Sequence, residues 1–313
     1  MAALAALTGC AVTHVPLSDR YPGPRELPPD LAERFHYTAA TPSGAEEALR
    51  RRANFTVRQV LLESSTGCEP IELEYCDTEG DARTPVVVLL PIFNGHLVVT
   101  RYFAKYFAQR GWAAVVVGVN RERMQTIDEL GEALHATLAD YRRALDWIEQ
   151  QPELDSERIG LFGISFGGSD AVMLAALDPR VDALVAAMAG GDFPYMAMNT
   201  RYRPVARVID EVVEENGLTE SALERLLKEE IPFDPLTLAP YVDAQRALLV
   251  LARSDVIVPF EAQQRLWLTM GRPEALYLPT GHRTSVVYFP KLRESAYEFF
   301  ARQFGMPDGV AHN

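Results

Sequence analysis

The chain has 313 residues, of which 48% are hydrophobic and 23% are charged. This composition is typical of a globular protein with a large core, and it excludes a disordered, collagen-like or coiled-coil chain for most of the length. The 43 acidic and 30 basic residues give a net charge of −13, which repels phosphate backbones and argues against nucleic acid as a partner.

The first residues resemble the end of a bacterial lipoprotein signal peptide. The stretch Leu7-Thr8-Gly9-Cys10 matches a lipobox, in which Cys10 would carry the lipid. Residues 1–9 would then be a truncated signal, because a positively charged start and the usual length are missing. Two interpretations stay open: a lipoprotein of the bacterial cell envelope, or a cytoplasmic protein with a frayed apolar N-terminus. No run of about 18 apolar residues predicts a transmembrane helix.

The domain organisation follows from proline content and periodicity. Residues 1–55 form an N-terminal arm with six prolines and no lasting period, which suggests either a tether or a tail that wraps the domain. Residues 56–305 form the main domain, and residues 306–313 a short tail. The cysteines Cys68 and Cys76 lie at the turn and at the far end of a predicted hairpin, a placement that disfavours a disulfide.

The main domain alternates between strand and helix patterns. Val57–Leu62 and Ile71–Cys76 are predicted to be antiparallel edge strands. Six later runs are apolar on both faces, as a parallel sheet buried between helices requires: Val86–Leu90, Ala113–Val119, Arg158–Gly163, Val181–Met188, Ala247–Arg253 and Glu274–Leu278. Helical stretches separate them, so the sequence predicts a doubly wound, mostly parallel α/β sheet.

Residues 192–240 interrupt this alternation. They contain no strand pattern but two apolar stripes at helical spacing, one from Val205 to Val212 and one from Leu223 to Leu227. We therefore predict a helical cap inserted between two strands. Eight acidic and two basic residues between 209 and 230 make its outer face negative.

The strongest motif is Gly163-Ile164-Ser165-Phe166-Gly167, placed where a predicted strand meets a predicted helix. It matches the G-x-S-x-G nucleophile elbow, in which glycines allow a tight turn that presents the serine above the sheet. Ser165 is the candidate nucleophile, and the N–H of Phe166 is a candidate oxyanion donor.

A serine hydroxyl needs a base to take its proton, and after such an elbow the partners follow in the order acid, histidine. Asp255 opens the loop after one strand, and His282 lies in the loop after the last strand. These are the candidate acid and base. Asp192, which follows the preceding strand, is the rival acid.

Two further groups of residues are predicted to line the site. A second oxyanion donor is expected from the N–H of Ile92 or Phe93, in the loop after the strand that ends at Leu90. Asn94 in that loop could add a donor or merely form the turn. At the start of the insert, Phe193, Tyr195 and Met196 suit a pocket for an acyl or aryl group, although they could equally pack the insert onto the domain.

The stretch from Ala144-Leu145-Asp146-Trp147-Ile148 to Gly163-Ile164-Ser165-Phe166-Gly167-Gly168 resembles the α/β-hydrolase superfamily, particularly its dienelactone-hydrolase-like and prolyl-oligopeptidase-like esterases. This resemblance implies ester hydrolysis through an acyl-enzyme, a small-molecule ester as substrate, and no metal or organic cofactor. The alternatives are a serine peptidase or acyltransferase on the same fold, and a non-catalytic envelope lipoprotein.

Overall fold

The computed structural model describes residues 11–42, 44–65, 67, 69–78, 83–93, 97–118 and 129–306. Three predicted features lie outside the described residues: the lipidation site Cys10 with its signal, Asn94, and the tail beyond Met306. Cys68 is also outside them, whereas Cys76 is described as a buried free thiol. Among the helices of the described part, none is long and apolar enough to cross a membrane.

The described part of the chain builds one ten-stranded sheet. Its strands are β1 (Thr13–Val15), β2 (Gly44–Arg51), β3 (Thr56–Leu62), β4 (Ile71–Asp77), β5 (Thr84–Leu90), β6 (Ala113–Gly118), β7 (Leu154–Ile164), β8 (Val181–Ala187), β9 (Ala247–Ala252) and β10 (Glu274–Leu278). Their spatial order is β1-β10-β9-β8-β7-β5-β6-β4-β3-β2. Strands β5 to β10 are parallel, and β1 to β4 pair antiparallel with their neighbours. The predicted mostly parallel sheet is confirmed.

Helices cover both faces of this sheet. They are α1 (Pro29–Arg34), α2 (Val98–Ala108), α3 (Leu130–Gln150), α4 (Phe166–Leu177), α5 (Phe193–Asn199), α6 (Arg203–Asn216), α7 (Glu220–Glu230), α8 (Pro235–Leu238), α9 (Phe260–Thr269) and α10 (Phe289–Gln303). One apolar core packs α2 and α10 against the sheet, and the other packs α3, α4 and α9 against the opposite face. Every residue of β9 is buried, which explains why its sequence is apolar on both faces.

The edges of the sheet differ from the sequence prediction. The predicted edge strand β3 lies between β4 and β2, so it is an inner strand. The actual edges are β2 and β1, and both come from the N-terminal arm. The arm therefore supplies both edge strands of the sheet: β1 pairs with β10 and β2 pairs with β3.

The carboxyl ends of the parallel strands bring the predicted site residues to one edge of the sheet. Ser165 follows β7 directly, Asp255 follows β9, and His282 follows β10. Ile92 and Phe93 follow β5. In open α/β sheets this is the edge at which ligands bind.

Candidate active site

Ser165 lies at a sharp turn between β7 and α4. Its backbone has φ 59° and ψ −127°, a left-handed φ that only the surrounding structure can impose on a non-glycine residue. The turn is held by the Ser165 N–H, which donates to the Ala187 carbonyl at 2.8 Å. The Ser165 side chain makes no capping hydrogen bond to α4, so its hydroxyl is not engaged by the N-terminus of the helix.

Two glycines of the motif are required by close backbone contacts. A Cβ at Gly163 would lie 2.2 Å from the Gly167 carbonyl oxygen, and a Cβ at Gly167 would lie 2.5 Å from the Leu90 carbonyl oxygen. Any side chain at either position would push strand and helix apart. The glycines thus let the serine turn press against the end of β5, where the second oxyanion donor is predicted.

His282 and Asp255 form a hydrogen-bonded pair, called the acid–base pair below. The His282 Nδ1 lies 2.7 Å from the Asp255 Oδ2. Asp255 is 4% exposed, and its Oδ1 accepts hydrogen bonds from the N–H groups of Ile257 at 2.9 Å and Val258 at 3.0 Å. These bonds hold the carboxylate in one orientation toward the imidazole.

The rival acid Asp192 is engaged elsewhere. Its Oδ2 accepts a hydrogen bond from Arg265 Nη1 at 2.7 Å, and its Oδ1 accepts from the Tyr195 N–H at 3.2 Å as the N-cap of α5. No described contact joins Asp192 to His282. The structure therefore brings the base together with Asp255.

The loop after β5 places aromatic rings next to the serine. The ring of Phe93 contacts that of Phe166 edge-to-face, with centroids 5.3 Å apart, and contacts Tyr202 at 6.1 Å. Phe166 in turn stacks on Phe193 at 5.3 Å. The loop after β5 and the turn after β7 therefore meet beside Ser165. The assignment of the N–H groups of Phe166 and of Ile92 or Phe93 as oxyanion donors stays a prediction.

A cavity of about 430 Å³ opens above Ser165. Its walls come from the loops after β5 and β9 and from helices α3 to α7: Phe93, Leu130, Leu134, Ser165, Phe166, Phe193, Met196, Ala197, Thr200, Tyr202, Pro204, Val205, Val208, Ile209, Leu227, Ile231, Ile257 and Val258. None of these described wall residues carries a formal charge. The volume suits a small ligand, since ligand pockets typically measure about 300–1,000 Å³.

The insert supplies much of this wall. Val205, Val208 and Ile209 of α6 belong to the first predicted apolar stripe, and Leu227 of α7 belongs to the second. No residue of α6 is fully buried, although the helix is strongly amphipathic. Part of its apolar face borders the cavity, and Ile209, Val212 and Val213 are partly buried against the core.

Two of the three described pocket candidates line the cavity, and Tyr195 does not. Residues 193, 196 and 197 share one face of α5, whereas position 195 points to another. The Tyr195 hydroxyl donates to Glu261 Oε2 at 2.8 Å, and its ring lies 4.1 Å under the Arg265 guanidinium. Tyr195 is therefore turned away from this cavity, because the start of α5 sets which residues face it.

Several wall residues gave no signal in the sequence. In the sequence, Leu130 and Leu134 indicate only the apolar stripe of α3, and Ile257 and Val258 indicate only the approach to α9.

The sequence analysis also missed a buried amide outside the wall, Gln263, although a lone glutamine on the apolar face of a helix is an unusual choice.

The comparisons with known proteins fit this site. The family model of the X-Pro dipeptidyl-peptidase (S15 family) matches residues 30–224, which is more than half of the chain. The chain belongs to this family. The match includes the elbow and the first two thirds of the insert.

A sequence relative is less informative about activity. An uncharacterised 31.7 kDa protein from the traX-finO intergenic region of Escherichia coli is 32% identical over 126 residues, which are 40% of this chain and 44% of that protein. The chain spans less than half the length of the curated relatives that it matches.

Solved structures show the fold. Acetyl xylan esterase 1 from Thermoanaerobacterium sp. has a TM-score of 0.68 at 16% identity, with 88% of this chain and 96% of that chain covered. A puromycin-hydrolysing peptidase of Mycobacterium tuberculosis has a TM-score of 0.62 at 18% identity, with 83% and 41% covered. These structures confirm the α/β-hydrolase fold, and together with the family match they place the chain in the α/β-hydrolase superfamily.

Proposed function

We propose that the chain is a serine hydrolase that cleaves carboxylic esters with a neutral, apolar acyl group. The observation that carries this proposal is the placement of Ser165, on a strained elbow, in the wall of a cavity of about 430 Å³ whose described wall residues carry no charge. The acid–base pair lies at the same edge of the sheet.

The proposed reaction assigns a role to each of these residues. His282 Nε2 takes the proton from the Ser165 hydroxyl as its oxygen attacks the ester carbonyl, and returns it to the departing alcohol. Asp255 holds the Nδ1–H tautomer and stabilises the imidazolium. The N–H of Phe166, with that of Ile92 or Phe93, stabilises the oxyanion. Water then hydrolyses the acyl-enzyme by the same steps.

The absence of charge among the described wall residues favours esters over peptides. A dipeptidyl-peptidase that releases X-Pro units must bind the N-terminal ammonium of its substrate, and a buried ammonium needs an anionic partner. No described residue of the cavity wall is anionic. The nearby carboxylates Asp192 and Glu261 both pair with Arg265 outside the cavity. The fold shared with an acetyl xylan esterase is consistent with an ester substrate.

The apolar wall also predicts a dependence on acyl length. Each methylene that moves from water into the cavity contributes about 0.8 kcal/mol, or roughly a fourfold gain in kcat/KM. We expect that gain along a series of p-nitrophenyl esters from acetate upward, until the chain fills the cavity and longer chains lose activity.

A fluorophosphonate probe and a substrate panel test the proposal. The probe should label Ser165, as read by peptide mass spectrometry, and Ser165→Ala should lose both labelling and ester hydrolysis, the latter by several orders of magnitude. The same panel includes X-Pro p-nitroanilides. Faster cleavage of these anilides than of any ester would assign the chain to the peptidases, and a folded protein that is never labelled would be a binding protein.

A further inference from the structure

Gln263 is a fully buried polar side chain on the inner face of α9. It is 0% exposed and lies between the apolar residues Ala262 and Leu266 in the buried part of that helix. An apolar side chain would fill this place without any need for hydrogen bonds. The presence of an amide therefore calls for a partner that only an amide can serve.

Every hydrogen-bonding group of the Gln263 amide is used. Its Oε1 accepts from the Ala252 N–H at 3.0 Å. Its Nε2 donates to Asp255 Oδ2 at 3.0 Å and to the Val258 carbonyl oxygen at 2.8 Å. Because one partner is a donor and the other two are acceptors, only one orientation of the amide satisfies all three.

Gln263 donates to the same carboxylate oxygen of Asp255 that His282 contacts. Asp255 Oδ1 is held by the N–H groups of Ile257 and Val258, whereas Oδ2 is shared by Gln263 Nε2 and His282 Nδ1. A second donor on Oδ2 draws negative charge away from the imidazole. It also restrains the position of Oδ2 relative to the imidazole.

The other charged side chains close in sequence to the acid–base pair contact other groups or face the solvent. Arg253 stacks over Tyr277 at 4.7 Å, Glu261 pairs with Arg265, and Arg283 is exposed. Among the described residues, Gln263 is thus the side chain that adjusts the acid–base pair from inside the domain.

We propose that Gln263 is a positioning residue of the active site, which holds Asp255 Oδ2 and limits how strongly that oxygen stabilises protonated His282. The role in catalysis rests on the proposed ester hydrolysis, whereas the effect on the histidine does not. With Gln263 in place, Asp255 Oδ2 accepts from both the amide and the imidazole, so it interacts with the imidazole less strongly than an unshared carboxylate oxygen would.

The test uses Gln263→Met, which keeps the length of the side chain and removes both the donor to Asp255 and the acceptor of the Ala252 N–H. Asp255 stays in place through its two backbone bonds, but Oδ2 now faces His282 alone. Removing a hydrogen bond from a carboxylate raises its affinity for a neighbouring cation. We therefore expect the acid limb of the kcat/KM–pH profile, and the NMR titration curve of the imidazole, to lie at higher pH in Gln263→Met than in the wild type.

Leu266→Ala is the matched control, since Leu266 is equally buried on the same face of α9 and its apolar side chain belongs to the hydrophobic core. It should lower the melting temperature at least as much as Gln263→Met and leave both pH readouts unchanged. An unshifted His282 in Gln263→Met, or an equal shift in both variants, would overturn the proposal. If the wild type hydrolyses no ester, the NMR titration still decides the role of Gln263, while the proposed function fails separately.

Discussion

Asp192 and Asp255 are both carboxylates that follow a parallel strand, and their contacts predict different fates on substitution. Asp255→Asn should lower kcat by about 10⁴, because the amide no longer fixes the tautomer of His282. Asp192→Asn keeps an oxygen that can cap α5 and loses only the ion pair to the half-exposed Arg265. It should cost less than about tenfold.

The two variants control for each other because both exchange a carboxylate for an amide of the same size. Initial rates on one p-nitrophenyl ester, with circular dichroism to verify folding, decide the ranking. If Asp192→Asn were the more damaging change, the acid would belong to the loop after β8 and the assignment of Asp255 would fall.

Residues with a local signature could be read from the sequence, and residues defined by distant contacts could not. Gly163 and Gly167 are dictated by contacts within a few residues and with β5, so the five-residue pattern carries them. His282 follows from strand order alone. The role of Gln263 depends on its hydrogen bonds to Ala252, at the end of β9, and to Asp255, in the loop that follows. No short sequence pattern marks such a residue.

Helix α6 is the element whose apolar face has the most direct consequence for substrates. Val208 lines the cavity, so Val208→Trp should fill part of it and shift the preferred acyl chain to shorter lengths. Activity on acetate esters should persist. The measurement is kcat/KM across the acyl series for the wild type and the variant.

Asp210→Trp is the control for that experiment. Asp210 is exposed and lies two residues further along α6, which turns its side chain by about 200° from that of Val208. It adds the same indole outside the cavity and should leave the acyl profile unchanged. A profile unchanged in Val208→Trp, in a folded protein, would remove the insert from the substrate site, as would an unchanged profile after residues 205–230 are trimmed.

Strands at the edges were the elements that the sequence did not predict. β2 reads Gly-Ala-Glu-Glu-Ala-Leu-Arg-Arg over residues 44–51, a composition that favours helix. Pairing along the whole of β3 overrides that preference, as tertiary context often does for edge strands. β1 has three residues and exists through its register with β10, which local propensity cannot show.

For the molecule as a whole, alkaline pH should weaken the fold. Burial, with a contribution from the charge of Glu74, raises the pKa of the Cys76 thiol to about 12, and burial also raises the pKa of Tyr75. The unfolded chain releases these protons near their ordinary values, whereas the folded protein keeps them. The free energy of unfolding should therefore fall as the pH rises from about 9 toward 12.

Cys76→Ala isolates the thiol in that response. Its urea midpoint should decline less between about pH 8 and pH 10.5 than that of the wild type, whatever its stability at pH 8. Parallel declines in the two proteins would show that Cys76 does not contribute.

The distribution of charge over the molecule bears on substrates that carry charge themselves. The net charge is −13, and the segment 209–230 holds eight acidic and two basic residues on the two helices that cover the cavity. Their acidic side chains are mostly exposed, and Lys228 is already paired with Glu224.

We expect an anionic ester to approach Ser165 past this surface. At low ionic strength we expect a hemisuccinate ester to react about 3- to 10-fold more slowly, relative to its neutral butyrate counterpart, than at about 0.5 M salt, where the Debye length is a few ångströms. Replacing Glu211, Glu214 and Glu215 by glutamine should remove part of that salt dependence while the rate on the butyrate ester stays constant. A hemisuccinate-to-butyrate ratio that does not change with salt would mean that substrates reach the serine by a route away from α6 and α7.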